Sequence, residues 1–125
     1  MAVCNRQQTR FAKNFLPVLL GVAIAALMGC AVAEVPAAPD DDPVLQMGQQ
    51  VYASACRSCH GGDGGGGSSP ALNSGLTEKY PVKVDQVLVV AEGKGGMPGF
   101  AGRLSDEEID AVVDYTREVL SASQG

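Results

Sequence analysis

A chain of 125 residues with 14 acidic and 9 basic side chains has room for one domain and carries a net charge of −5. That balance excludes the basic face on which nucleic-acid binding depends. Apolar residues make up 46% of the chain, yet aromatics are only 5% and Trp is absent. A short, glycine-rich chain of this kind closes a marginal core unaided, so something else is expected inside it.

The N-terminus reads as an export signal. Arg6, Arg10 and Lys13 give residues 1–14 a positive start, and no charge follows from Phe15 to Ala33. Nineteen such residues could span a bilayer as a helix. Leu27-Met28-Gly29-Cys30 resembles the processing site of bacterial lipoproteins, and cutting there leaves an apolar run of ordinary signal length, Phe15 to Gly29. Ala31-Val32-Ala33 also suits ordinary signal peptidase, with cleavage before Glu34. Three fates therefore stand: a lipid on Cys30, a soluble exported chain, or an uncleaved anchor. All three place the rest of the chain outside the cytoplasm. Loss of the first 29 residues leaves six basic groups against fourteen acidic ones, a net of −8.

Residues 1–29 are thus assigned to the signal, 30–42 to a tether beginning at the lipidated Cys30, and 43–125 to the folded domain. The tether has two prolines between Ala31 and Asp42, Pro36 and Pro39, and it has no apolar periodicity. An extended segment of that length reaches about 35 Å.

The domain reads as all-α, with about three main helices joined by glycine loops. Asp42-Pro43 is an N-cap followed by proline at the first helical position, and Val44, Met47, Gly48, Val51, Tyr52 and Ala55 recur at helical spacing. Val84, Val87, Leu88 and Ala91 fit a second helix stopped by Gly93, although their valines would suit a strand equally. Ser105 to Glu108 forms a capping box, and Leu104 with Ile109 its hydrophobic staple. Ile109, Val112, Val113, Thr116 and Leu120 follow on one face, with Tyr115 and Val119 beside them. Residues 60–80 and 93–103 read as loops.

Chemistry concentrates in Cys56-Arg57-Ser58-Cys59-His60, the attachment signature of c-type haem. Two thiols about one helical turn apart can each add to a porphyrin vinyl group, and the adjacent imidazole can ligate iron. A zinc site and a redox dithiol are the competing readings. Zinc wants four ligands in most structural sites, and the dithiol motif belongs with a βαβ pattern that is missing here. A six-coordinate haem needs another ligand, and there is no second histidine. Met47 has the periodicity of a core residue. Met97, in the loop Gly95-Gly96-Met97-Pro98-Gly99-Phe100, has small neighbours that allow close backbone approach to a ring face. It is the candidate iron ligand, against the alternative of a loop methionine buried by chance.

These residues together resemble a class I cytochrome c of the small type that serves as a bacterial electron carrier, over about residues 43–122. Gly48-x-x-Val51-Tyr52 matches the family's first helix, whose glycine lets the terminal helices cross, and Tyr115 matches the aromatic that packs there. Pro70-Ala71-Leu72 resembles the family's Pro-x-Leu, with Ser69 where glycine usually stands. The resemblance implies that the Pro70 carbonyl accepts the ring N–H of His60, and that Leu72 packs against the haem. It implies one covalent haem c on Cys56 and Cys59, iron held by His60 and Met97, and one-electron transfer rather than catalysis, in a respiratory or photosynthetic chain. Expected partners are a donor and an acceptor redox protein, membrane complexes among them. A fixed subunit of a membrane oxidase or quinol-oxidising complex is the alternative; a ligand-binding or catalytic haem protein is the remoter one. The expected location is the periplasmic side of a membrane, or the soluble periplasm if cleavage follows Ala33.

Overall fold

A computed structural model describes residues 33–124, so the expected export signal (residues 1–29), Cys4 and Cys30 lie outside the described residues. Helix α1 (Pro43–Val51) opens where expected: one oxygen of Asp42 accepts from the backbone N–H of Val44 and Leu45, both at 3.0 Å. It runs without a break through a wider π turn, Tyr52–Cys56, into α2 (Arg57–His60). After a loop come the short α3 (Leu76–Lys79) and α4 (Lys83–Glu92). The last element, α5 (Asp106–Tyr115), continues as a second π turn through Leu120. At its start Ser105 and Glu108 cap each other reciprocally, at 3.2 and 2.8 Å. Among the described residues β pairing is limited to two isolated bridges. The architecture is all-α.

The core lies where α1 crosses α5. Gly48 permits that crossing, because a Cβ there would fall on the Ala111 carbonyl oxygen and within 2.7 Å of Tyr115 Cβ. Tyr52 and Tyr115 fill the crossing with ring centroids 5.6 Å apart, and both are fully buried. Ile109, Val112, Val113, Thr116 and Leu120 are all buried, as the spacing on α5 predicts. On α1 the reading needs correction. Leu45 is buried instead of Val44, which is 45% exposed, and Met47 is half-buried rather than core. The face is centred on Gly48, and that close contact fixes the helix rotation.

Helix α4 is turned more sharply away from expectation. Gln86 is its one buried residue, whereas Val84 and Leu88 are about half exposed. Polar contacts set this rotation. Gln86 Nε2 donates to Thr116 Oγ1 at 2.9 Å and Gln86 Oε1 accepts from Arg117 at 3.1 Å, while Lys83 bonds Asp110 and Asp114 on α5. A satisfied amide can be buried at little cost, so the amphipathic count alone misplaces the face.

The tether also differs from the extended, solvated spacer suggested by its composition. Residues 33–39 lie along the α1–α5 crossing. Ala38 is buried and its N–H donates to Gln49 Oε1 at 3.1 Å, the Tyr115 hydroxyl donates to the Pro36 carbonyl, and Val35 packs on the core. Gln46 Nε2 donates to the carbonyls of Pro39 and Asp40. These contacts place a run of alanines and prolines where the sequence shows no periodicity. A proline-rich strand needs no ladder of its own when neighbouring side chains satisfy its carbonyls.

Candidate cofactor site

The Cys-x-x-Cys-His segment occupies the last turns of the first helical run. The π turn immediately precedes it: the N–H of Arg57 reaches back to the Tyr52 carbonyl, five residues away. Cys56 is half-buried and Cys59 exposed, and both are free thiols. Burial pushes the Cys56 thiol up to about 11, with the neighbouring Cys59 adding to the shift. The helix stops at Gly61, whose φ of +85° lies in the region that favours glycine.

His60 is buried, and its Nδ1 lies 2.8 Å from the Pro70 carbonyl oxygen. A carbonyl can only accept, so this contact assigns the proton to Nδ1 and leaves the Nε2 lone pair free for a metal. The loop that brings Pro70 there is closely specified by backbone bonds. Ser69 N–H donates to the Cys59 carbonyl at 3.1 Å and Gly66 N–H to the His60 carbonyl at 2.8 Å. The Gly64 carbonyl accepts from Leu72 and Asn73, and the buried Asn73 amide donates to the Asp63 carbonyl. Serine at position 69 thus still delivers Pro70 to the imidazole. Leu72 packs, partly buried, against the core.

One hydrogen bond ties this loop to the crossing. The Tyr52 hydroxyl donates to the Gly61 carbonyl at 2.6 Å, and burial raises its pKa well above the ordinary value. A buried tyrosine needs a partner for its hydroxyl, which is the signal that could have located this bond in the sequence. Asp63 and Asn73, which carry the loop's internal bonds, were not legible as site residues.

Met97 sits in a tight hairpin, with Lys94 and Met97 exchanging both backbone bonds at 3.1 Å across Gly95-Gly96. The hairpin folds back on the end of α4, where Phe100 N–H reaches the Val90 and Ala91 carbonyls at 3.0 Å. Gly99 is required by that approach, since a Cβ there would stand 2.8 Å from the Ala91 and Glu92 carbonyl oxygens. Met97 itself is half-buried, and Lys94 and Lys79 flank the ring of Tyr80, each 5.5 Å from its centre.

The donor set fits a c-type haem: two unpaired thiols one turn apart, then an imidazole whose Nδ1 is held by the Pro70 carbonyl and whose Nε2 is free. It does not suit tetrahedral zinc, as no group of three or more His, Cys, Asp and Glu side chains among the described residues is placed to hold a metal ion. Residues 43–115 match the protein family described as cytochrome c oxidase, cbb3-type, subunit III. The chain is a class I c-type cytochrome.

Among its relatives, cytochrome c6 of Thermosynechococcus vestitus is 35% identical over 106 residues, covering 82% of this chain and 88% of that one. Dihydro-heme d1 dehydrogenase of Pseudomonas aeruginosa is 35% identical over 98 residues, but the match spans only 18% of that longer protein and 78% of this chain. The solved structure of cytochrome c6 from the diatom Phaeodactylum tricornutum superimposes with a TM-score of 0.53 at 30% identity, over 64% of this chain and 94% of that one. The cytochrome carries one covalently bound haem c, as its family does, and Cys56-x-x-Cys59-His60 is the motif that fits it.

Proposed function

We propose that this cytochrome transfers single electrons between redox proteins on the outer side of a membrane. The haem supplies the Fe(II)/Fe(III) couple. Cys56 and Cys59 would hold it covalently, and His60 through Nε2 and Met97 through its thioether would ligate the iron. The contact between His60 Nδ1 and the Pro70 carbonyl carries this reading. It locks the ring orientation and raises the basicity of the ligating nitrogen, which an electron carrier needs in both oxidation states. A thioether ligand from Met97 would favour Fe(II) and raise the reduction potential. With His60 and Met97 both ligating, no position on the iron would be left for a substrate, so the assignment is to a carrier and not an enzyme.

We further assign residues 1–29 to an export signal and Cys30 to lipid attachment, which keeps the domain at the periplasmic face; cleavage after Ala33 would release it instead. A second reading, a fixed subunit of a membrane oxidase, is favoured by the description of the matching family. Co-purification of the cytochrome with an oxidase after detergent extraction would separate a fixed subunit from a shuttling carrier.

The test of the main reading is the reduced protein under carbon monoxide. An unchanged spectrum, with haem that resists acid-acetone extraction, is the expected result. Rapid carbon monoxide binding would mean that Met97 is not a firm ligand and that the protein binds small molecules.

A further inference from the structure

The docked segment 33–39 brings the chain's N-terminal extension to a defined place. Starting from α1, the strap is held by Gln46 on the Pro39 and Asp40 carbonyls, by Gln49 on the Ala38 N–H, and by the Tyr115 hydroxyl on the Pro36 carbonyl. It ends with the Ala33 carbonyl lying directly on Gly62, where a Cβ would overlap it. Gly62 is buried by this contact and sits two residues after His60. Ala33, the first described residue, therefore sits against the 61–67 loop that follows His60.

This geometry changes what an anchor would do. An extended tether from Cys30 to Asp42 would let the domain swing some 35 Å from its attachment. With the strap docked, Cys30 lies only three residue steps before Ala33, a reach of about 10 Å. The apolar run Phe15–Ala33 ends at the same point. We propose that the strap turns the 61–67 loop toward the lipid surface that holds the N-terminal segment. This rests on the anchoring reading above. The opposite pole is the start of α5: Leu120, at the other end of that helical run, would touch a Cβ on Gly64 at 3.0 Å, and Glu107 lies thirteen residues back along it, about 20 Å away.

The experiment uses the full haem-loaded chain with Cys4→Ser, reduced to the diamagnetic Fe(II) state and reconstituted into phosphatidylcholine vesicles containing a nickel-chelating lipid. A nitroxide is attached at Ser68→Cys, an exposed position just beyond the loop, or at Glu107→Cys, also exposed. Relaxation by the lipid-bound nickel should be several-fold stronger at position 68 than at 107. Gly62→Ala, which pushes the Ala33 carbonyl away, should bring the two positions toward equality while leaving the visible spectrum unchanged. Ala38→Glu, which undocks the strap from its buried centre, should do the same and stands in if Gly62→Ala does not fold. Equal relaxation at both positions in the parent chain, or a difference that survives both strap variants, overturns the proposal while leaving anchoring intact. Recovery of the mature chain in the soluble fraction overturns the anchoring reading and this proposal with it.

Discussion

The helix crossing and the ligand loops are built on opposite economies. At the crossing, Gly48, Tyr52, Ala111 and Tyr115 are buried side by side, and packing decides everything. In the loops, residues 61–75 and 93–103 contribute few large buried side chains; Asn73 and Phe100 are the main ones. Their shape comes instead from backbone hydrogen bonds and left-handed glycines. One region should therefore answer to volume changes and the other to the identity of the ligand. The Tyr52 hydroxyl on the Gly61 carbonyl is the joint between them.

The comparison is broken most forcefully at Gly48. Replacement by valine drives a side chain into the Ala111 carbonyl and Tyr115, and overpacking at a helix crossing with no slack costs about 3 kcal/mol. Chemical denaturation of the haem-loaded protein should show that loss, with the spectrum of whatever remains folded unchanged. A spectral change in the folded fraction would mean that the crossing shapes the iron site directly.

Met97→Ala asks the converse. The hairpin is held by backbone bonds between Lys94 and Met97, so it should keep its form and most of its stability. The weak red band of sulfur bound to Fe(III) should vanish, the potential should fall, and carbon monoxide should bind the reduced protein. If spectrum and potential are unchanged, the ligand is another residue, and half-buried Met47 is the other methionine of the domain.

What the sequence made legible follows the same division. Caps, the glycine at the crossing, the α5 face and the haem motif are short-range patterns with one physical solution each, and they could be read directly. The face of α4 could not, because Gln86 is buried through bonds to Thr116 and Arg117, some thirty residues away. The strap was hidden for a related reason: its partners Gln49 and Tyr115 lie on two different helices, and nothing in AVAEVPAAP announces them. Of the site, the motif and its proline were readable, but the bonds of Asp63 and Asn73 that hold the loop were not.

Removing single hydroxyls sharpens the comparison at its joint. Tyr52→Phe and Tyr115→Phe keep the ring contact and each lose one hydrogen bond, at about 1 kcal/mol. Tyr52→Phe should also disturb the His60 loop, visible as a shift in potential, whereas Tyr115→Phe should not. Both hydroxyls impose a pH dependence. Burial pushes Tyr115 from 10.0 up to about 12, and Tyr52 rises as well. The folded chain then keeps protons that the unfolded chain gives up, so stability is whole below pH 10 and falls as pH rises toward 12. Each Phe variant should flatten that decline; a decline of undiminished slope in both would assign it to other groups.

The smallest effect is expected at the ion pairs joining α4 to α5. Lys83 Nζ lies 2.9 Å from Asp110 and 2.7 Å from Asp114, but its side chain is 36% exposed and that of Asp110 is 58% exposed. Burial on its own would lower the lysine's pKa; the bonds to Asp114 and Asp110 outweigh it and raise the value above 10.5. The pair's contribution is accordingly complete at neutral pH and fades only in the alkaline range where the lysine loses its proton. Exposed pairs of this kind contribute little, so Lys83→Met should cost about 0.5 kcal/mol at pH 7 and low salt. In 1 M salt, where screening acts within about 3 Å, most of that difference should disappear. A larger cost that salt does not reduce would have another source, the packing of the lysine stem between the helices. Side-chain volume would then govern the α4–α5 contact just as it governs the crossing of α1 and α5, and the division between packed and hydrogen-bonded regions would have to be drawn closer to the haem.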